Sequence, residues 1–355
     1  MRTIRVAVVG TGYMGARHVV KYASLDRVEV VAVVDQRAAR AQEVAEELKC
    51  QWFARVEDLL TSDIGIDAAS IATPTATHFD VTKALLDAGV HCLVEKPLAL
   101  TSEEASRLVS LAHARKRTLL PGHIERFNPA VRAVRARRPS IQYITAYRVG
   151  PMSFRSVDTD VVLDVMTHDI DIALFLTGCA GADVTVVRAF ASPENINDIA
   201  KAELRIGSCV ADLVASRLAI ARRRKMRIFA ADGYYSIDCS KRTAVQMERA
   251  RYLEGLKELR MYQEMRREVS ADEIFTAVGA KHIVDSERDG NDALTEELQH
   301  FLSHVRGEAT ESVVTGEDGV AVVRIAEAIL RSCAAENVVR PIESFRATEP
   351  NRNEQ

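Results

Sequence analysis

The chain has 355 residues, of which 47% are hydrophobic and 27% charged, with a formal net charge of -3. That length exceeds one ordinary core and predicts two domains, while the small negative charge gives no electrostatic footing for nucleic acid or an anionic membrane as partner. No apolar run reaches the ~20 residues that span a bilayer, and the first residues run straight into a strand, so neither a membrane segment nor a signal peptide is expected.

Short apolar strands at 4–9, 28–34, 68–72, 92–94 and 118–120 alternate with helical patterns at 12–23, 38–48, 79–88 and 102–115. That alternation predicts a doubly wound parallel sheet covered on both faces, over residues 1–122. Thr101-Ser102-Glu103-Glu104 has the hydroxyls and early acids of a helix start. After Gly122 the pattern changes. Helices are expected at 129–136 and 163–176, then strands at 184–190, 202–206, 209–217, 226–230 and 234–237, with Asp232-Gly233 as a hairpin signal. Residues 241–289 carry no periodicity that chooses between a helix and an excursion between strands. The last helices are expected at 292–306 and 318–333. The expected fold is therefore α/β. An amino-terminal Rossmann domain precedes an α/β domain over 123–345 with a large, mostly antiparallel sheet, and 346–355 form a polar tail. The six cysteines are scattered without a C-x-x-C pair, so no metal site and no disulfide framework is expected, and the protein is placed in the cytoplasm.

Gly10-x-Gly12-x-x-Gly15 directly follows a strand and opens a helix. In that context Gly10 permits the tight turn, Gly12 lets the backbone approach a pyrophosphate, and Gly15 lets helix and strand pack closely. Thr11, Tyr13 and Met14 share the loop and are expected to line the dinucleotide. Asp35 follows the second strand, 20 residues after Gly15, where a carboxylate accepts the ribose hydroxyls and repels a 2′-phosphate. NAD is therefore favoured over NADP, with Gln36 and Arg37 beside it; Arg37 keeps NADP open. Thr73-Pro74 and His78 lie in a loop expected beside the cofactor, although a turn capped by Thr77 explains much of that run. Glu95-Lys96-Pro97 ends a later strand. A lysine there is in isolation an ordinary surface residue, but near a substrate hydroxyl it stabilises a developing alkoxide. Asp164 and His168 are four apart on an expected helix, so they share a face, and the carboxylate could orient the imidazole as a base. Their flanks are apolar, which suits a cleft better than a solvated face. Arg222-Arg223-Arg224-Lys225 is expected as a solvated hairpin turn.

These motifs, together with Ala72-Thr73-Pro74 and the late Gly316-Glu317-Asp318-Gly319, resemble the Gfo/Idh/MocA family of NAD(P)-dependent oxidoreductases along nearly the whole chain. The resemblance implies Lys96, Asp164 and His168 as catalytic lysine, aspartate and histidine. It also implies a homodimer or homotetramer formed through the carboxy-terminal sheet. Within the family, the run from Gly122 through Glu125, Arg126 and Asn128 to Ala130, and Arg148-Val149-Gly150-Pro151, are similar to enzymes that oxidise the 3-hydroxyl of UDP-N-acetylglucosamine. Arg126, Arg148 or Arg155, with Glu125, are then expected at the substrate. An inositol or simple sugar dehydrogenase uses the same Lys-Asp-His set. Chemistry that reduces and reoxidises one retained NAD, and a non-catalytic dinucleotide sensor, are the remaining readings.

Overall fold

The computed structural model describes residues 2–152, 159–191, 196–264, 268–284, 292–309 and 311–334. Six parallel strands come first: β1 (Ile4–Val9), β2 (Val28–Val34), β3 (Gln51–Phe53), β4 (Ala68–Ile71), β5 (His91–Glu95) and β6 (Leu119–Gly122). Helices α1 (Tyr13–Ala23), α2 (Ala38–Leu48), α3 (Val56–Thr61), α4 (His78–Asp87) and α5 (Ser102–Arg115) connect them. The spatial order β3-β2-β1-β4-β5-β6 reverses between β1 and β4, which opens a crevice beyond the carboxyl ends of these strands. The strands are apolar because helices bury both faces: every residue of β4 is buried. Thr101 caps α5 reciprocally. Glu104 N–H donates to its hydroxyl at 3.2 Å, and the Glu104 carboxylate accepts Thr101 N–H at 3.3 Å.

The second sheet has eight strands. They are β7 (Ile141–Val149), β8 (Asp183–Ala191), β9 (Asn197–Ile206), β10 (Cys209–Ser216), β11 (Arg223–Ala230), β12 (Gly233–Asp238), β13 (Thr243–Glu248) and β14 (Ala280–His282). Their order is β14-β13-β12-β11-β7-β10-β9-β8, and all neighbours are antiparallel except β7 with β10. α6 (Pro129–Ala136) and α7 (Thr167–Thr177) pack on the inner face, with α7 preceded by a π turn at Val162–Met166. The stretch at 241–289 holds β13, α8 (Arg249–Glu264), α9 (Ala271–Ala277) and β14. α10 (Ala293–Val305) and α11 (Gly316–Ala334) close the described chain.

Three sequence expectations need amendment. β7 was not anticipated, although it lies between β11 and β10 at the middle of the sheet. The basic run is no turn: Arg223, Arg224 and Lys225 belong to β11 and pair with β7. The helix expected at 163–176 begins as a π turn, in which Thr167 N–H donates to the Val162 carbonyl. The Asp232-Gly233 hairpin forms as expected, with Ala230 paired to Gly233.

The last two helices return to the first sheet. Leu294, Leu298, Phe301 and Leu302 of α10 share a core with Val19 and Tyr22 of α1. Val323 of α11 joins the core around α5, while Val322, Ile325 and Ile329 face the second domain.

Candidate active site

The glycine loop is built for close approach. Gly10 has φ 89°, and a Cβ there would lie 2.6 Å from the Ala72 carbonyl oxygen. A Cβ on Gly15 would lie 1.7 Å from the Gly10 carbonyl oxygen, so α1 and the end of β1 touch backbone to backbone. Gly12 differs: nothing lies within 4 Å of its missing Cβ. It is the N-cap of α1, so open space meets the amino end of the helix there, as a pyrophosphate requires.

Asp35 follows β2 and is fully engaged. One oxygen accepts the Thr11 N–H and hydroxyl, each at 2.8 Å, and the other accepts Arg37 N–H at 2.9 Å and Arg37 Nε at 3.3 Å. Burial works to raise its pKa, but the Arg37 and Thr11 bonds outweigh it and hold the carboxyl below its ordinary range. Arg37 thus folds back onto the carboxylate, which stays ionised beside it.

A cavity of about 1590 Å³ joins these parts. It is lined by Gly10, Gly12 and Met14, by Asp35, Gln36 and Arg37, and by Thr73, Pro74 and His78. Glu95, Lys96 and Pro97 complete the wall from the first domain, and Thr159, Asp160, Leu163 and Asp164 enter from the second. Thr11 and Tyr13 line a smaller flanking hollow with Arg37 and Arg40.

Lys96 precedes Pro97 through a cis peptide bond, and its Nζ donates to the Asp164 carbonyl at 2.5 Å and to Asp164 Oδ1 at 3.2 Å. The two residues the sequence placed 68 positions apart therefore meet across the crevice. His168 sits one turn further along, half-buried, and no hydrogen bond joins it to Asp164 among the described residues. Asp164 holds the lysine, not the imidazole. Burial first, then Lys96, Arg148, Arg224 and His123, push the His168 pKa well below its ordinary value, so the ring is neutral and a weaker base than a free imidazole.

Neighbouring groups fix this wall. The Glu95 carboxylate pairs with His18 Nε2 at 3.0 Å and accepts Lys96 N–H at 3.3 Å. Burial opposes its charge, but the bonds and charges of His18 and Lys96 together outweigh it and lower the pKa. His78 is buried between two carbonyls, with Nδ1 2.8 Å from Pro97 O and Nε2 2.9 Å from Thr73 O. It ties the Thr73-Pro74 loop to the Lys96-Pro97 turn, which is a cross-bracing role at the edge of the cavity.

Two arginines expected at the substrate are structural. Arg126 is 3% exposed and donates to both oxygens of Asp171, at 2.9 and 3.1 Å, and to Asp318 at 2.9 Å. Arg148 is also 3% exposed and donates to Asp169 at 2.9 Å and Glu125 at 2.8 Å. Glu125 is thereby occupied as well, accepting Asn128 Nδ2 at 3.0 Å. Of Asp164, Asp169 and Asp171, the acids flanking His168, Asp164 alone lines the cavity. Arg155 lies outside the described residues.

Some site residues went unread in the sequence. Asp160 lines the cavity and caps the π turn, accepting Val162 N–H at 2.9 Å, while its other oxygen accepts Asn197 Nδ2 at 2.6 Å. An aspartate just before a helical run is a cap signal, so it could have been found. His18, a lone histidine inside a helix, carried no such signal.

A doubly wound sheet whose glycine turn faces a lysine–aspartate pair defines a dinucleotide-dependent oxidoreductase. The model of the oxidoreductase family with an NAD-binding Rossmann fold matches residues 4–123, and that of the same family's C-terminal alpha/beta domain matches residues 158–340. The chain belongs to this Gfo/Idh/MocA family, and its cofactor is NAD. It is 42% identical over 237 residues to UDP-N-acetylglucosamine 3-dehydrogenase of Acidithiobacillus ferrooxidans, covering 66% of this chain and 74% of that protein. A solved structure of that enzyme superposes with a TM-score of 0.77 and 35% identity, over 94% of this chain and 98% of the other. Inositol 2-dehydrogenase of Rhizobium meliloti is 24% identical over 341 residues, covering 94% and 97%.

Proposed function

We propose that the protein oxidises a secondary hydroxyl of a nucleotide-linked sugar, the 3-hydroxyl of UDP-N-acetylglucosamine, with NAD as acceptor. The observation that carries this reading is Lys96 Nζ, held by Asp164 in the cavity that the glycine loop also lines. The similarity to the Acidithiobacillus enzyme supports the choice of substrate. Residues 1–122 would hold the cofactor and 123–345 the sugar.

Bound NAD supplies a hydride acceptor at C4 of its nicotinamide. His168, neutral in this setting, takes the hydroxyl proton. Lys96 donates a hydrogen bond to the oxygen as negative charge grows on it. Asp164 keeps the ammonium in place. The carbinol C–H and O–H bonds break, the carbon–oxygen double bond forms, and the sugar leaves as a ketone.

The test is single-turnover hydride transfer in Lys96→Ala and His168→Ala. Each is expected to lose ~10²–10⁴ in rate with NAD still bound. Wild-type rates in both would refute the roles given. A panel of UDP-N-acetylglucosamine, myo-inositol and glucose, read by NADH absorbance, tests the substrate. The second reading, an inositol dehydrogenase, is favoured by the Rhizobium relative's match along 94% of the chain and predicts turnover of myo-inositol alone.

All six cysteines are free thiols, which supports a reducing, cytoplasmic setting. We place a homodimer or homotetramer contact on the outer face of the eight-stranded sheet. Tyr143, Tyr147 and Phe229 are exposed there, and the Tyr143 and Phe229 rings lie 6.0 Å apart. Light scattering should give two or four chains per particle, and Phe229→Lys should lower that number. A monomeric wild type would end this assignment.

A further inference from the structure

β7 and β11 are neighbours, and their register sets Arg224 directly opposite Arg148. Along β11, Met226 and Ile228 are buried while Arg223, Lys225, Arg227 and Phe229 are exposed. The two-residue period therefore puts Arg224 on the inner face, with Met226 and Ile228. Like charges directly opposite on adjacent strands destabilise a sheet unless something offsets them. Arg148 has its offset in Glu125 and Asp169. Arg224 shares only the field of Glu125: half-buried, its guanidinium makes no hydrogen bond or ion pair among the described residues.

Its position points to the cavity. Val149 at the end of β7 pairs with both Arg223 and Ser216, so β7, β10 and β11 share one sheet end. Arg217, next after Ser216, donates through Nη1 to the Thr159 carbonyl at 2.6 Å. Thr159 and Asp160 in turn line the cavity with Lys96 and Asp164. Arg224 is also close enough to His168 to disfavour its protonation. Arg222, two residues before Arg224, leans over the same end, where a Cβ on Gly150 would meet its side chain at 3.8 Å. Two residues apart on an extended chain means about 7 Å between Cα atoms, a span that a diphosphate bridges.

We propose that Arg224 binds the diphosphate of the nucleotide-sugar substrate, with Arg222 as its outer partner, and so selects phosphorylated over free sugars. A guanidinium presents its donors as a rigid fork that matches phosphate oxygens, and partial burial strengthens the attraction. This rests on the nucleotide-sugar reading above. The substrate then supplies the anion that the sheet itself leaves out.

The experiment is titration calorimetry of UDP, UDP-N-acetylglucosamine and uridine into the NAD-loaded enzyme. Arg224→Ala should weaken UDP and the UDP-sugar roughly 10–100-fold, with NAD and uridine affinities unchanged. Arg224→Lys, which keeps the charge and packs alike, should recover part of the loss and guards against a variant that fails to fold. Arg222→Ala, at an exposed position, should give a smaller loss. Unchanged UDP affinity in Arg224→Ala, or an equal loss of uridine and UDP, overturns the role of Arg224 while leaving the nucleotide-sugar reading standing. A wild type that binds neither UDP nor the UDP-sugar overturns both.

Discussion

A methyl group on Gly15 would sit 1.7 Å from the Gly10 carbonyl oxygen, whereas one on Gly12 would meet no atom within 4 Å. The same substitution should therefore have opposite signatures at the two positions. Gly12→Ala is expected to keep the wild-type melting temperature and lose NAD affinity, because its methyl fills space reserved for the pyrophosphate. Gly15→Ala must move backbone and should cost at least ~1–3 kcal/mol of stability. Thermal denaturation beside NAD titration separates them, and undiminished NAD binding by Gly12→Ala would rule out this loop as the pyrophosphate cradle. Gly10, Asp35 and Lys96 were legible because each directly follows a strand, where local pattern fixes its surroundings, and Gly12 and Gly15 because they open the helix after the first strand. The arginines were not. Arg126 finds Asp171 and Asp318 at separations of 45 and 192 residues, and no local pattern reveals such partners. Arg224 was hidden for the opposite reason, since four consecutive basic residues read as a solvated turn.

At the level of the helix, α10 brings His300 and His304 under the Ile124–Phe127 turn. The His300 ring lies 5.4 Å from Phe127 and 4.7 Å from His304, and its Nε2 accepts Val313 N–H at 3.3 Å. Burial, then His304 and Arg132, lower its pKa from the ordinary 6.5 to about 4. The folded state keeps this ring neutral while the unfolded chain takes up a proton below pH 6.5. Its contribution is thus complete above pH 6.5 and lost as pH falls towards 4. His300→Gln, whose side-chain oxygen can still accept from Val313, should flatten the fall in melting temperature across that window. An unchanged slope would show that the titration lies elsewhere. Elements of the first sheet were readable because strands buried on both faces are nearly pure apolar runs. β7 escaped notice because Tyr143, Thr145 and Tyr147 face outwards while the charged Arg148 faces inwards, which dilutes the alternation. The π turn at Val162–Met166 leaves no mark in the sequence, since one extra residue per turn is decided by what packs against it.

For the whole molecule, the order of motifs told the fold class, with a parallel sheet first and a mostly antiparallel sheet after it. It did not tell that α10 and α11 double back. The core beside α1 is completed by Leu294, Leu298, Phe301 and Leu302, and that beside α5 by Val323. Adjacency in space and adjacency along the chain therefore part company at the end of the protein. The ribosome must make about two hundred more residues after β6 before α11 is finished, which takes roughly 10–40 s. Throughout that interval the nascent nucleotide-binding half exposes apolar surface meant for helices not yet synthesised, so its maturation is set by the pace of translation and its need for chaperone shelter is written into the connectivity.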